Sequence, residues 1–177
     1  AAMISAQCEK LKRNFKDTNF HYAMKANSNP QVLSLIKKAG LGVEAVSIGE
    51  LELALSIGFP ASRISFTCSS LTEAELVHVA KTGARVHLDS LHQLQVWGAK
   101  KLGSTASIRL NQGIVGGHHA HVITGGPDSK FGIVLRDVPK AKAIAKKYGV
   151  SITGIQQHIG SNVLDIKIFE KAVRVLL

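Results

Sequence analysis

The chain has 177 residues, of which 45% are hydrophobic, 19% charged and 5% aromatic, and it carries a formal net charge of +10. The apolar content excludes a disordered chain, and 16 Gly, 4 Pro and 2 Cys exclude a collagen repeat and a disulfide scaffold. No apolar run approaches the roughly 18 to 20 residues of a membrane helix, so no membrane association is expected, and the length is that of one domain.

In chain order, residues 2–15 read as a helix, 20–24 as a strand and 30–39 as a helix with Pro30 in its first turn. A short strand at 43–47 leads to a helix over 49–57, which Gly58-Phe59-Pro60 stops. A strand at 64–67 precedes a helix over 72–82, where Thr72 and Glu75 have capping-box spacing. Residues 85–88 and 90–101 form the next strand and helix, and 106–110 the strand after that. A Gly- and His-rich loop fills 111–130; a helix over 138–148, a strand over 152–157 and a helix over 165–177 complete the order.

Six strand-then-helix units imply parallel strands joined by helical crossovers. Either a (β/α)8 barrel or an open doubly wound sheet satisfies that pattern. The Gly-rich dinucleotide fingerprint is absent after the first strand, and six units fit a barrel lacking its last quarter. The chain starts without Met and stops at Leu176-Leu177 on an uncapped amphipathic helix, so a piece of a longer protein is expected.

The cations fall in dispersed pairs, Lys37-Lys38, Lys100-Lys101 and Lys146-Lys147, near helix C-termini, where the helix dipole favours them. With so few aromatics there is no stacking platform for single strands, and no nucleic-acid partner is expected. Cys8 and Cys68 lack metal spacing and are read as buried thiols of a reducing compartment. With no signal peptide visible, that points to the cytoplasm.

In a barrel, alternate strand residues point inward and the functional site lies at the strands' C-terminal ends. His21, Ala23 and Lys25 share one phase; so do His87 and Asp89, then Ser107, Arg109 and Asn111, then Gly154, Gln156 and His158. The phases bring Lys25, Asp89, Arg109 and His158 to one end of such a barrel. Buried ionisable groups cost several kcal/mol apiece without partners, which points to function. Each residue also has a plain reading: Asp89 as a helix cap, Arg109 in a structural ion pair, His158 as a hydrogen-bonded histidine, Lys25 as a solvated loop residue.

The segment Tyr22-Ala23-Met24-Lys25-Ala26-Asn27-Ser28-Asn29-Pro30 resembles the lysine motif of the fold-type III pyridoxal-phosphate (PLP) decarboxylases. Val46-Ser47-Ile48-Gly49-Glu50-Leu51, Gly125-Gly126-Pro127-Asp128-Ser129-Lys130-Phe131-Gly132 and His158-Ile159-Gly160-Ser161 follow in the order of that family. Within it, the chain is most similar to the diaminopimelate decarboxylases; ornithine and arginine decarboxylases are more distant.

The resemblance implies an alanine racemase-like TIM barrel in which residues 1–177 are part of the PLP-binding domain. The family's C-terminal β-domain, its Gly-rich phosphate loop and its late Glu would lie beyond this chain. Lys25 would form the Schiff base with PLP, which needs a neutral amine and hence a buried one. His158 would stack on the cofactor ring, Ser161 would bond near its phosphate, and Arg109 would support the ring or its hydrogen-bond network. Glu44 stands where the family usually has Asp, and Gln156-Gln157 where diaminopimelate decarboxylases often have His-Cys. The implied reaction is decarboxylation of an amino-acid substrate, diaminopimelate to lysine, by a homodimer with a shared active site. The 177-residue piece alone would be inactive. Decarboxylation of ornithine, arginine or another basic amino acid, racemisation, or a non-catalytic PLP-binding barrel stay open.

His118, His119 and His121 allow a metal site, a substrate-touching loop or a solvated loop; the chemistry needs no metal, and none is assigned. Gly125, Gly126 and Ser129 offer backbone N–H groups to an anion. Lys130 is a competing lysine, set aside because a strand end mounts an amine more rigidly than a loop.

Overall fold

The computed structural model of the chain describes residues 1–114, 129–161 and 163–176. Its elements are α1 (Ala2–Asn14), β1 (His21–Ala23), α2 (Pro30–Lys38), β2 (Gly42–Ala45), α3 (Ile48–Ser56), β3 (Ile64–Thr67) and α4 (Glu73–Thr82), then β4 (Arg85–Leu88), α5 (Leu91–Ala99), β5 (Thr105–Asn111), β6 (Ile133–Val134), α6 (Val138–Tyr148), β7 (Ser151–Gln156) and α7 (Ile166–Leu176). All six expected strand-then-helix units are present. The two-residue β6 is an addition, too short to show an alternation in sequence.

Local signals explain why the helices start where they do. Asn29 caps α2 by accepting the Gln31 N–H at 2.8 Å, with Pro30 pre-set for the first turn. The expected capping box at α4 is formed: Thr72 N–H donates to Glu75 Oε2 at 2.8 Å, and Glu75 N–H to Thr72 Oγ1 at 3.2 Å. Two further Ser-x-x-Glu/Gln boxes open α3 and α5. Ser47 Oγ accepts the Glu50 N–H while Glu50 Oε2 accepts the Val46 N–H. Ser90 Oγ accepts the Gln93 N–H while Gln93 Oε1 accepts the Asp89 N–H. Ser90, and not Asp89, is therefore the α5 cap.

The chain divides into two compact units. The first comprises Ala1–Cys68 and Val77–Val86. In it β2 lies between β1 and β3, parallel to both, with Ala23, Glu44 and Ser65 in register. Its core is fully buried at Met24, Leu33, Val43, Leu51, Ile64 and Phe66.

The second unit comprises Ser69–Leu76 and His87–Leu177. In it β5 pairs with β4, β6 and β7, each in parallel. The register sets His87 opposite Ser107, Ser107 opposite Gly154, and Arg109 opposite Gln156. The expected phases hold here. Val86, Leu88, Ile108 and Leu110 are buried, while His87 Nδ1 meets Ser107 Oγ at 2.7 Å on the other face. Gly154 completes that layer, because a Cβ there would stand 2.8 Å from Ser107 Oγ.

Helix α5 packs on α6 with Gly98 against Tyr148, and Trp97 Nε1 donates to the Thr105 carbonyl at 3.2 Å. Helix α7 buries Ala172 and leaves Ile166, Phe169 and Val173 exposed. Cys8 is buried as expected, whereas Cys68, at the mouth of β3, is only half-buried. No helix among the described residues is long and apolar enough to cross a membrane.

Candidate active site

In the first unit, the lysine motif is a sequence of turns held by its own polar groups. β1 ends at Ala23, and Met24–Ala26 form one turn of 3-10 helix. Tyr22 Oη donates to the Asn27 carbonyl at 3.3 Å, and Asn27 Oδ1 accepts the Asn29 N–H at 3.0 Å. Asn29 then caps α2. Met24 is fully buried and anchors the turn from below. Lys25 follows it, so it stands past the C-terminal end of β1 and not on the strand as expected. The chain leaves the extended conformation at Met24 because Asn29 must arrive at the first turn of α2. The Lys25 side chain is exposed, which departs from the expected buried amine: a single strand end with its turn leaves it on the open side. On the neighbouring strand, half-buried Glu44 accepts a hydrogen bond from Thr67 Oγ1 at 3.3 Å.

In the second unit, the ends of β4 and β5 meet in an ion pair. Arg109 Nη1 donates to Asp89 Oδ1 at 2.9 Å, with the two side chains 11% and 1% exposed. The other carboxylate oxygen, Oδ2, accepts the Gly132 N–H at 3.2 Å. Burial pushes the Asp89 carboxyl above its ordinary value, opposed first by the Gly132 N–H and then by the Arg109 charge. The Phe131 ring lies beneath the guanidinium, with Cζ 4.9 Å from its centroid. The Lys130 ammonium lies 5.3 Å from the same ring. Lys130 therefore bears on a ring that itself braces Arg109.

Beyond Arg109 an open cleft is lined by Asn111, Gln112, Phe131, Gln157, His158 and Ile159, among others. His158 is half-buried, Ile159 buried, and Ser161 exposed two residues further on. Among the described residues, no partner meets either amide atom of Gln112, nor Oε1 of Gln156 or of Gln157. Buried polar groups are nearly always hydrogen-bonded, so this end of the unit is built for a polar ligand.

The structure thus brings Asp89 and Arg109 together in the second unit, with His158 on the cleft that Arg109 also lines, while Lys25 and Glu44 are placed in the first. His118, His119 and His121, and Gly125 and Gly126, lie outside the described residues. Among those described, no cluster of three metal-ligating side chains occurs. The sequence reading passed over Phe131, Gln93, Glu50 and Gln112. Spacing marked two of them: Ser47-x-x-Glu50 and Ser90-x-x-Gln93 repeat the Thr72-x-x-Glu75 pattern.

The residues present fit pyridoxal phosphate. An exposed primary amine sits on a hydrogen-bonded turn, an imidazole borders an open cleft, and the unmet amide oxygen of Gln156 lies in the register layer of Arg109.

Known proteins resemble the chain closely. A diaminopimelate decarboxylase from Methanothermobacter thermautotrophicus is 39% identical over 157 residues, covering 88% of this chain and 37% of that protein. The crystal structure of diaminopimelate decarboxylase from Helicobacter pylori complexed with L-lysine superposes with a TM-score of 0.81 at 28% identity, covering 97% of this chain and 48% of that one. An arginine decarboxylase from Paramecium bursaria Chlorella virus shares the fold, with a TM-score of 0.84 at 19% identity over 98% of this chain and 46% of that one. The chain spans well under half the length of the curated relatives it matches. Its six β/α units are those of a TIM barrel of the alanine racemase-like type, two short of the eight that close the ring. The model of the pyridoxal-dependent decarboxylases, pyridoxal binding domain, matches residues 1–177 throughout, and the chain belongs to that family.

Proposed function

We propose that the protein of which this chain is the pyridoxal-binding part decarboxylates meso-diaminopimelate to L-lysine. The observation that carries the reading is the 39% identity to a curated diaminopimelate decarboxylase. Lys25 holds pyridoxal phosphate covalently through Nζ, on a turn fixed by Tyr22, Asn27 and Asn29. His158 lies against the cofactor ring, Ser161 donates its hydroxyl near the phosphate, and Glu44 accepts from the cofactor's polar edge. Arg109 supports the ring side; its charge is offset by Asp89 and its plane held by Phe131.

Bound pyridoxal phosphate supplies an electron sink for the pair left behind when the carboxylate departs as CO2. The chain's own work is binding and orientation. Lys25 releases its hold to the substrate amine, and the rim formed by β4 and β5 keeps its charges fixed during the exchange. The remaining barrel units, a β-domain and a second subunit of a cytoplasmic homodimer complete the site, so the 177-residue piece by itself releases no CO2.

A visible spectrum of the full-length protein with pyridoxal phosphate tests the lysine. The absorbance of the bound cofactor disappears in Lys25→Ala and persists in Lys130→Ala; the reverse result overturns the assignment. A CO2-release screen over diaminopimelate, ornithine, arginine and lysine tests the substrate. Decarboxylation of arginine or ornithine is the second reading, favoured by Gln156-Gln157 standing where diaminopimelate decarboxylases often have His-Cys, and the same screen separates the two.

A further inference from the structure

The cleft past Arg109 holds polar groups that the cofactor roles above leave unused. Gln112 follows the last residue of β5, and both atoms of its amide are buried and unmet among the described residues. Gln157 follows the last residue of β7, and its Oε1 is likewise buried and unmet. Both side chains line the same cleft, with Ile114, Phe131 and Ile159 as its apolar wall. No acidic side chain lines it, and the one cation, Arg109, is already paired with Asp89. A ligand ammonium in this cleft must therefore be met by neutral acceptors, and a ligand carboxylate by a neutral donor. The two amides offer that set: Oε1 of Gln157 and of Gln112 as acceptors, Nε2 of Gln112 as a two-proton donor. Turning the Gln112 amide over leaves one donor and one acceptor in place.

We infer that Gln112 and Gln157 are specificity-determining residues that read an ammonium–carboxylate headgroup at the non-reacting end of a straight-chain substrate, Gln112 donating to the carboxylate and Gln157 accepting from the ammonium. The inference rests on the proposed decarboxylase reading and deepens it. It names which side chains favour a substrate with amino-acid groups at both ends over one, such as lysine, with only an amine at its far end. A site built to hydrogen-bond a group rejects the analogue without it, because its own buried polar atoms are then left unpaired.

The test uses the full-length holoenzyme with meso-diaminopimelate as substrate and L-lysine as competitive inhibitor. In Gln112→Leu, KM for diaminopimelate rises by about 10- to 100-fold while the Ki of L-lysine, which has no second carboxylate, stays within about 2-fold. In Gln157→Leu both constants rise together. Cofactor absorbance and Tm stay at wild-type values in each, and Gln112→Met repeats the result should the leucine variant fold poorly. Unchanged constants in both variants mean the amides are only hydrated and overturn the inference while leaving the decarboxylase reading intact. Loss of cofactor absorbance assigns the amides to the cofactor and overturns it equally. If the wild-type protein releases no CO2 from diaminopimelate, the underlying reading falls and the inference with it.

Discussion

The Asp89 carboxylate and the Arg109 guanidinium meet at 2.9 Å where β4 and β5 end, and the carboxylate's second oxygen takes the Gly132 N–H. One buried acid therefore ties two neighbouring strands to the segment that enters β6. The Ser90 capping box holds this acid in place from behind, since Gln93 Oε1 accepts the Asp89 N–H at 2.8 Å. The arrangement fixes the direction of the one cation facing the cleft.

Removing either end of this pair is costly, because the other is left buried and uncompensated. Asp89→Ala is expected to lower stability by about 3–5 kcal/mol. Asp89→Asn, which keeps an acceptor for the Gly132 N–H, costs less. Chemical denaturation of both variants checks the order; equal losses would show that the Gly132 bond contributes nothing.

The pair also has a pH signature. Burial raises the Asp89 carboxyl above its model value of 3.8, so the folded state binds this proton more tightly than the unfolded state. The contribution of this group to stability is then full below the ordinary aspartate range and is lost as pH rises through the raised value. The stability difference between wild type and Asp89→Asn, measured as a function of pH from about 3 upward, should move against the wild type as pH increases. A slope of the opposite sign would mean that the Arg109 charge outweighs burial.

Two glycines predict opposite responses to one added methyl. At Gly98 a Cβ would stand 2.5 Å from Tyr148 Cβ, an atom fixed to the α6 backbone. Gly98→Ala is expected to lower stability by about 1–3 kcal/mol through overpacking of α5 on α6. At Gly49 nothing lies within 4 Å, so Gly49→Ala in α3 leaves stability unchanged or raises it by up to about 1 kcal/mol. Thermal melts of the two variants decide it; similar shifts would break the packing argument.

The capping boxes of α3 and α5 should be energetically alike. Ser47→Ala and Ser90→Ala each remove the acceptor for an N3 amide and are expected to cost about 1 kcal/mol. Ser90→Ala should in addition loosen Asp89, seen as faster exchange of the Asp89 amide proton. Exchange as slow as in wild type would show that Gln93 alone positions the acid.

What the residues determined on their own was periodic and local. Alternation of apolar and polar positions gave six strand-then-helix units, and the strand phase placed His87 with Ser107 and Arg109 with Asn111 before any coordinates. Caps followed from spacing, since a serine or threonine three residues before Glu or Gln can only bond its own helix. The lysine motif and the histidine motif marked the family because each is a run of neighbours along the chain.

Only the tertiary structure decided which groups answer one another across strands. Asp89, adjacent to Ser90, reads as a cap in sequence; its carboxylate instead turns to Arg109 and Gly132, because parallel register carries the end of β4 beside the end of β5. Phe131 gained its place under Arg109 in the same way, and the unmet amides of Gln112 and Gln157 face one cleft although 45 residues part them in the chain. Lys25 shows the converse: its number in the strand suggested a rigid inward mount, and the demand of Asn29 to cap α2 turned the backbone one residue earlier. Local signals reach a few residues, whereas burial and pairing are settled by which strand ends lie side by side.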